Sequence, residues 1–164
     1  MVTNQSIMAL LEHIELFTDL THEQIEQIAA LGHQVTYNAG DIIITEGSPS
    51  KEIYIICDGL VEVEIAKGAV QDIHGAPQLS SIVRLGKGQV FGEMALVDSG
   101  ARSATVRCLK DDTRLFVIPR RQFWELFEDD YHIGFIIMRN IAVDLSFKLR
   151  HRNIQTRLGS GGEV

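Results

Sequence analysis

The chain has 164 residues, which is the size of one ordinary domain. With 45% hydrophobic and 23% charged residues, its composition is that of a soluble globular protein and argues against disorder, collagen-like repeats and coiled coils. A formal net charge of -7 argues against a nucleic-acid-binding protein, because contacts to phosphates need a surplus of lysine and arginine.

The first predicted elements are two short helices within residues 5–31. Apolar residues recur at helical spacing in SIMALLEHIELFTDL, and a second helix is predicted in THEQIEQIAALG. Thr21 and Gln24 have the spacing of a capping box at the start of the second helix. Gly32 marks its predicted end.

Between residues 33 and 119 the sequence changes to short β-rich runs separated by Gly, Asn and Asp. The predicted strands are HQVTY, DIIIT, EIYIIC, LVEVEI, SIVRL, SATVRC and TRLFVI. Strands at this spacing favour an antiparallel sandwich or barrel. We therefore predict an α+β fold, in which a jelly-roll-like antiparallel β-roll is flanked by N-terminal and C-terminal helices.

Two connections within the β-rich region carry their own signals. The Asp58-Gly59 pair predicts a two-residue hairpin turn between EIYIIC and LVEVEI, because glycine readily takes a positive φ. Residues 66–81, AKGAVQDIHGAPQLSS, are polar and contain Gly and Pro, so we expect a long surface loop there.

After Pro119 the pattern is helical again. One helix is predicted in RRQFWELFED and a long one from Tyr131 to about Asn153, so that helices occupy residues 120–154. We expect the Gly/Ser-containing tail, 155–164, to be disordered and residues 1–154 to form a single domain. The longest apolar run, FIIM, is far too short to cross a bilayer, and the N-terminus lacks the features of a signal peptide, so a cytoplasmic protein is predicted.

The stretch FGEMALVDSGARSATV, residues 91–106, carries the chemistry. Gly92 permits a close approach of the backbone, and the EMAL helical turn after it would direct free N–H groups at an anion. Arg102 adds a planar fork suited to two phosphate oxygens, and Ser103 adds a hydroxyl donor. We therefore predict a phosphate-binding site.

Glu93 needs a separate explanation, because a carboxylate would repel a neighbouring phosphate. A hydroxyl group on a sugar attached to that phosphate could donate a hydrogen bond to the Glu93 carboxylate. The combination describes a nucleotide, whose base would lie against aliphatic side chains such as Val83, Leu85 or Val97. The alternative is that Glu93 simply pairs with Arg102, or either with Asp98, in a surface salt bridge worth about 0 to 1 kcal/mol.

The same stretch resembles the phosphate-binding cassette of the cyclic nucleotide-binding domain family. The usual form of that cassette is FGE, an Ala-Leu helical turn, a short loop, and Pro-Arg-small-Ala-Thr-Val. The matching residues are Phe91, Gly92, Glu93, Ala95, Leu96, Arg102, Ser103, Ala104, Thr105 and Val106. The likeness extends through EGSPSK, IYIICDGLVEVEI, LGKGQVFGE and the helices after Pro119, whereas Ala101 stands where the family often has proline.

The resemblance implies a role for each matched residue. Glu93 would hold the ribose 2'-hydroxyl, Arg102 would pair with the cyclic phosphate, and the short helix would supply backbone amides. Ser103 favours cAMP over cGMP. Phe147, Lys148 and Arg150 are candidates for capping the base by their place on the last helix, and the alternative that they are ordinary residues of the helix surface stays open. The predicted ligand site consists of Phe91, Gly92, Glu93, Met94, Ala95, Arg102, Ser103, Ala104, Val83 and Leu85.

No catalytic or metal site is predicted. The sequence shows no nucleophile–base pair, its six histidines are scattered, and Cys57 and Cys108 are interpreted as reduced, buried residues, so we expect a ligand sensor and not an enzyme. Two alternatives stay open, a cupin-like enzyme of similar strand pattern and a degenerate cassette kept as a protein-interaction module. Members of the family that regulate transcription carry a helix-turn-helix domain after the long helix, whereas this sequence ends about ten residues past it, so direct DNA binding is not expected.

The long C-terminal helix carries two apolar lines. The first consists of Met138, Ile141, Leu145 and Leu149, and the second of Ile136, Val143, Phe147 and Ile154. One line can pack on the barrel, whereas the other must be covered by the same helix of a second subunit or by the bound base, and of these we favour the homodimer. In both cases the helix is the moving part and passes the signal to a further protein.

Overall fold

The β-rich region folds into two four-stranded antiparallel sheets in the computed structural model, which describes residues 4–71 and 77–159. The strands are β1 (His33–Tyr37), β2 (Ile42–Ile44), β3 (Glu52–Asp58), β4 (Leu60–Gln71), β5 (Pro77–Gly86), β6 (Val90–Phe91), β7 (Thr105–Cys108) and β8 (Thr113–Pro119). The helices are α1 (Asn4–Leu11), α2 (His22–Ala29), α3 (Arg120–Asp129) and α4 (Tyr131–Gly159). This architecture confirms the predicted β-roll with flanking helices.

The interior of the roll lies between the two sheets. One sheet has the order β1-β8-β3-β6 and the other β2-β7-β4-β5. Their facing surfaces bury Ile44, Tyr54, Ile56, Val61, Phe91, Val106, Leu115 and Val117. The ring of Phe91 stacks on that of Tyr54 with 4.9 Å between the centroids, which anchors the chain at the point where the predicted cassette begins.

A second core joins the helices to the sheet that contains β3 and β8. Its fully buried side chains include Leu11, Ile14, Phe17, Ile28, Ile53, Phe123 and Ile133. Helices from both ends of the chain therefore share one apolar layer. Cys57 and Cys108 are both buried free thiols, as predicted.

The N-terminal helices agree with the prediction in their capping and differ in their ends. The backbone N–H of Gln24 donates to Thr21 Oγ1 at 3.3 Å, and that of Thr21 donates to Gln24 Oε1 at 3.1 Å, so the capping box is confirmed. The first helix is shorter than its apolar pattern indicates and ends at Leu11, followed by a 3-10 turn at Glu15–Phe17. Gly32 is not a left-handed helix cap, because its φ is not positive. Its missing Cβ instead makes room for Phe116, since a Cβ there would lie 2.5 Å from the Phe116 Cζ.

The predicted hairpin turn at Asp58-Gly59 is wrong. Strand β3 pairs with β8 and β6, whereas β4 pairs with β5 and β7, so the chain passes from one sheet to the other at this point. Gly59 has a φ of 107°, as a tight corner requires, and its missing Cβ makes room for Thr113. The glycine signal was real, but it marks a corner between sheets and not a turn within one.

The long loop predicted at 66–81 is also largely wrong. Strand β4 continues to Gln71 and β5 begins at Pro77, and the two pair along this length, including Ala66 with Leu79. A two-stranded ribbon satisfies its backbone hydrogen bonds without needing an apolar face, so polar composition does not exclude it. Residues 72–76 of the predicted loop lie outside the described residues.

The C-terminal helices begin where the sequence predicts, but α4 continues to Gly159 instead of ending near Asn153. Between Gly134 and Gly159 the sequence has no glycine or proline that would interrupt it. The rest of the predicted tail, 160–164, lies outside the described residues. Within the described part of the chain, no helix combines the length and apolarity needed to cross a membrane.

Candidate functional site

An open cavity of about 1230 Å³ lies between one end of the β-roll and α4. All ten residues of the predicted ligand site line it: Val83, Leu85, Phe91, Gly92, Glu93, Met94, Ala95, Arg102, Ser103 and Ala104. Val97 does not. It is 47% exposed, so this cavity gives no support to its predicted contact with a base, which stays a prediction.

Arg102 is held in the cavity wall by three hydrogen bonds, one from each guanidinium nitrogen. Nε donates to Ser50 Oγ at 2.9 Å, Nη1 to the Gly92 carbonyl at 3.2 Å and Nη2 to the Glu52 carbonyl at 2.6 Å. The side chain is only 7% exposed, and burial lowers the pKa of its guanidinium. The guanidinium keeps its positive charge all the same, because arginine is not deprotonated in proteins.

The segment before β3 forms the scaffold for Arg102. The N–H of Gly47 donates to the Arg102 carbonyl at 2.8 Å, and the N–H of Arg102 donates to the Ser48 carbonyl at 3.0 Å. Together with Ser50 and Glu52, these contacts fix both the main chain and the side chain of Arg102. The sequence offered one signal for this scaffold, the EGSPSK turn, but not the contacts, because the partners are about fifty residues apart in the chain.

The surface-salt-bridge explanation of Glu93 and Arg102 is wrong. Among the described residues, the ion pair of Arg102 is with Glu52, at 3.8 Å between Nη2 and Oε2, and neither Glu93 nor Asp98 takes part in it. Arg102 is buried, not on the surface. Glu93 and Arg102 therefore line the same cavity without neutralising each other through a direct pair.

Glu93 begins a 3-10 helix, Glu93–Leu96, which follows Gly92 in the left-handed region at a φ of 78°. A Cβ on Gly92 would lie 2.9 Å from both Arg102 Nη1 and the Glu52 carbonyl oxygen. The predicted close approach at Gly92 is confirmed, and the group that approaches is Arg102 itself. Gly92 therefore permits the helical turn and Arg102 to lie side by side.

Burial raises the pKa of the Glu93 carboxyl above its ordinary value. A hydrogen bond from its own backbone N–H and the positive charge of Lys148 oppose that shift, whereas Asp144 adds to it. A carboxylate that has lost water and gained few donors is stabilised by any donor that enters the cavity. Glu93 is thus suited to accepting hydrogen bonds from a hydroxyl group.

Helix α4 covers one side of the cavity. Its contributing residues are Asn140, Ile141, Val143, Asp144, Phe147 and Lys148. Of the three residues predicted to cap a base, Phe147 and Lys148 therefore line the cavity and Arg150 does not. Lys148 also pairs with Asp144, at 2.6 Å.

The two halves of α4 are held very differently. Asn140 Nδ2 donates to the carbonyls of Leu16 and Thr18 at 3.0 and 2.9 Å, and Arg139 Nη2 pairs with Asp19 at 2.6 Å. Met138, Ile141 and Leu145 of the first predicted line pack on the helical core. Ile136 of the second line is buried as well. Beyond Ile141, the large apolar side chains that are exposed among those the structure describes are Val143, Phe147, Leu149 and Ile154.

Comparisons with known proteins place this geometry in context. A family described as "Cyclic nucleotide-binding domain" matches residues 34–130. The cAMP-dependent protein kinase regulatory subunit of Schizosaccharomyces pombe is 36% identical over 100 residues, covering 60% of this chain and 21% of that protein. A cGMP-dependent protein kinase of Caenorhabditis briggsae is 27% identical over 129 residues, covering 79% of this chain and 16% of that protein.

The fold has a close structural counterpart as well. The crystal structure of a cyclic nucleotide-binding domain from Methylobacillus flagellatus superposes with a TM-score of 0.74 at 22% identity, covering 98% of this chain and 86% of that one. The two curated relatives are much longer, and the chain spans less than a quarter of either.

Proposed function

Since the chain belongs to the cyclic nucleotide-binding domain family, we propose that residues 1–154 form one sensor domain that binds cAMP in preference to cGMP and signals through its C-terminal helix. The observation that carries this proposal is the joint placement of Arg102 and Glu93 in the wall of one cavity, where the arginine is buried, the glutamate is half-buried and the two are not paired with each other. Because residues 34–130 match this family, the cupin-like enzyme is no longer kept as an alternative.

Arg102 is the proposed phosphate ligand. Guanidinium has five N–H groups, of which the described contacts use one on each nitrogen. One N–H therefore remains on each of Nη1 and Nη2. The spacing of these two N–H groups suits two oxygens of one phosphate. The protein acceptors hold the fork in place before a ligand arrives, so little side-chain entropy is lost on binding.

Glu93 is the proposed partner of the ribose 2'-hydroxyl. Its half-buried carboxyl is partly desolvated and lines the same cavity as Arg102, so a sugar attached to the phosphate would bring a donor to it. The base would then lie between Val83 and Leu85 of β5 on one side and Phe147 of α4 on the other. Ser103 is exposed beside Arg102 and supports the preference for cAMP through its resemblance to the serine that is common among cAMP-binding members of the family.

Isothermal titration calorimetry of the chain with cAMP and cGMP tests the proposal. We expect micromolar or tighter binding of cAMP and weaker binding of cGMP. No heat with either nucleotide at millimolar concentration would favour the degenerate cassette that serves as a protein-interaction module. Tighter binding of cGMP would overturn the base preference alone, and relatives named for each nucleotide make that comparison necessary.

Replacing Glu93 with alanine is expected to weaken cAMP binding more than binding of 2'-deoxy-cAMP. The deoxy ligand lacks the hydroxyl that Glu93 is proposed to hold, so the variant has less to lose with it. Dissociation constants of both ligands for both proteins form a double-mutant cycle. Equal losses for the two ligands would show that Glu93 does not contact the ribose.

The second half of α4 is the proposed moving part. Val143 and Phe147 of this half line the cavity and are 63% and 61% exposed. The hydrogen bonds that hold α4 through Arg139 and Asn140 lie before this half begins. A ligand that contacts this half only when the helix is docked shifts the population toward the docked state.

We further propose that Leu149 and Ile154 form a homodimer contact. The sensor is proposed to act in the cytoplasm on another protein, without DNA binding, membrane insertion or catalysis of its own.

Hydrogen exchange of the free and cAMP-saturated chain tests this movement. We expect amides between Ile141 and Leu149 to exchange more slowly with cAMP, whereas amides of Ile133–Ile137, which are already packed in the core, should change little. Equal protection of 141–149 in both states would mean that the signal leaves through another surface.

Deleting residues after Arg139 should likewise weaken cAMP binding and leave the β-roll folded.

A further inference from the structure

We propose that Lys51 is a positioning residue for the loop that leads into Arg102, an inference that rests on the proposed function of that arginine. Its ammonium group donates to two successive carbonyls of the loop, those of Ser99 at 3.0 Å and Gly100 at 2.5 Å. Two charge-assisted hydrogen bonds from one donor to adjacent carbonyls fix the path of the chain between them.

The loop has few other restraints. Residues 98–101 are all exposed, so packing does not hold them. The N–H of Asp98 donates to the Met94 carbonyl and that of Gly100 donates to Asp98 Oδ1, both contacts within the cassette itself. Among the described residues, Lys51 therefore makes the hydrogen bonds that tie this loop to another part of the chain.

Lys51 is itself firmly placed. Its N–H donates to Glu52 Oε2 at 3.1 Å, and its carbonyl accepts from the N–H of Arg120 at 3.2 Å. It lies between Ser50 and Glu52, two of the three residues that accept hydrogen bonds from the Arg102 guanidinium. One short segment thus holds Arg102 through two acceptors and the preceding loop through one donor.

The lysine acts through the loop and not on the ligand. Ser50 lines the cavity, whereas Lys51 is not among the lining residues. The N–H of Ala101, at the end of the loop, donates to no group in the described structure, so a proline there removes no hydrogen bond. Proline at 101 would restrict the loop by a different physical means than the lysine does.

Three variants test the proposal: Lys51→Met, the double variant Lys51→Met/Ala101→Pro, and Lys110→Met as a control with the same change of charge. We expect Lys51→Met to weaken cAMP binding about tenfold through lost preorganisation, and the double variant to recover most of that loss. The loss should be the same at low and high salt, because it does not come from long-range charge. Lys110→Met should bind cAMP as the unmodified chain does.

Hydrogen exchange of residues 98–102 in the ligand-free proteins gives a readout that does not depend on cAMP. Faster exchange in Lys51→Met than in Lys110→Met supports the proposal, even if the unmodified chain binds no cyclic nucleotide and only the proposed function fails. The proposal is overturned if Lys51→Met matches Lys110→Met in exchange and affinity. It is also overturned if the affinity loss disappears at high salt and Ala101→Pro does not restore it, since the lysine would then act as a charge. Urea unfolding of each variant establishes that it is folded.

Discussion

Arg102→Ala is expected to weaken cAMP binding by about 2 to 5 kcal/mol, a factor of roughly thirty to several thousand. The Arg102 side chain is 7% exposed and already desolvated, so its charge faces a bound phosphate with little screening by water. Removing it leaves the phosphate charge in that wall without a partner, which is why the expected loss exceeds that of a surface contact. Calorimetric titration with cAMP measures the effect.

Arg107→Ala is the matched control. Arg107 lies five residues further along, in β7, and its Nε is 3.4 Å from Glu64 Oε2. Neither residue of this pair lines the cavity. Its loss should leave cAMP affinity nearly unchanged. Because Arg102→Ala also removes donors from the Gly92 and Glu52 carbonyls, urea unfolding establishes that the variant is folded under the binding conditions. Equal affinities of the two variants would contradict the phosphate-binding role of Arg102.

The cassette was predictable from sequence because its determinants are local. Gly92, Glu93 and Arg102 lie within eleven residues, and the chemistry of each side chain limits what the three can do together. The support of Arg102 was not predictable, since Ser50 and Glu52 reach it only when β3 and β7 are folded into different sheets. The contact of Lys51 with Ser99 is nonlocal in the same way.

The errors in the fold have a common physical cause. Strand propensity and turn signals are local, whereas the partner of a strand is chosen by packing across the whole domain. Asp58-Gly59 has the composition of a hairpin turn, yet β3 pairs with β8 because their apolar side chains complete the layer beneath the helices. In the ribbon of β4 and β5, the pairing continues through residues whose polarity favours a loop.

Gly59→Ala is expected to cost more stability than any other glycine-to-alanine change at a positive φ in the roll. At a φ of 107° an alanine is strained by about 1 to 3 kcal/mol. In addition, its Cβ would lie 2.2 Å from Thr113 Oγ1 and 2.8 Å from Thr113 Cα, so the clash includes a main-chain atom that a new rotamer cannot move. Forcing these atoms apart adds about 1 to 3 kcal/mol.

Gly88→Ala separates these two costs. Gly88 has a φ of 83°, and a Cβ there would meet nothing within 4 Å, so only the backbone strain applies. Urea unfolding should therefore show both variants destabilised with unchanged m-values, and Gly59→Ala lower in unfolding free energy than Gly88→Ala by about 1 to 3 kcal/mol. Thr113→Ser should not relieve Gly59→Ala, because the Cα, Cβ and Oγ of residue 113 that clash are all retained. Equal destabilisation of the two glycine variants would mean that the corner between β3 and β4 rearranges to accept the extra methyl group. Close packing against Thr113 would then not explain the need for glycine at position 59.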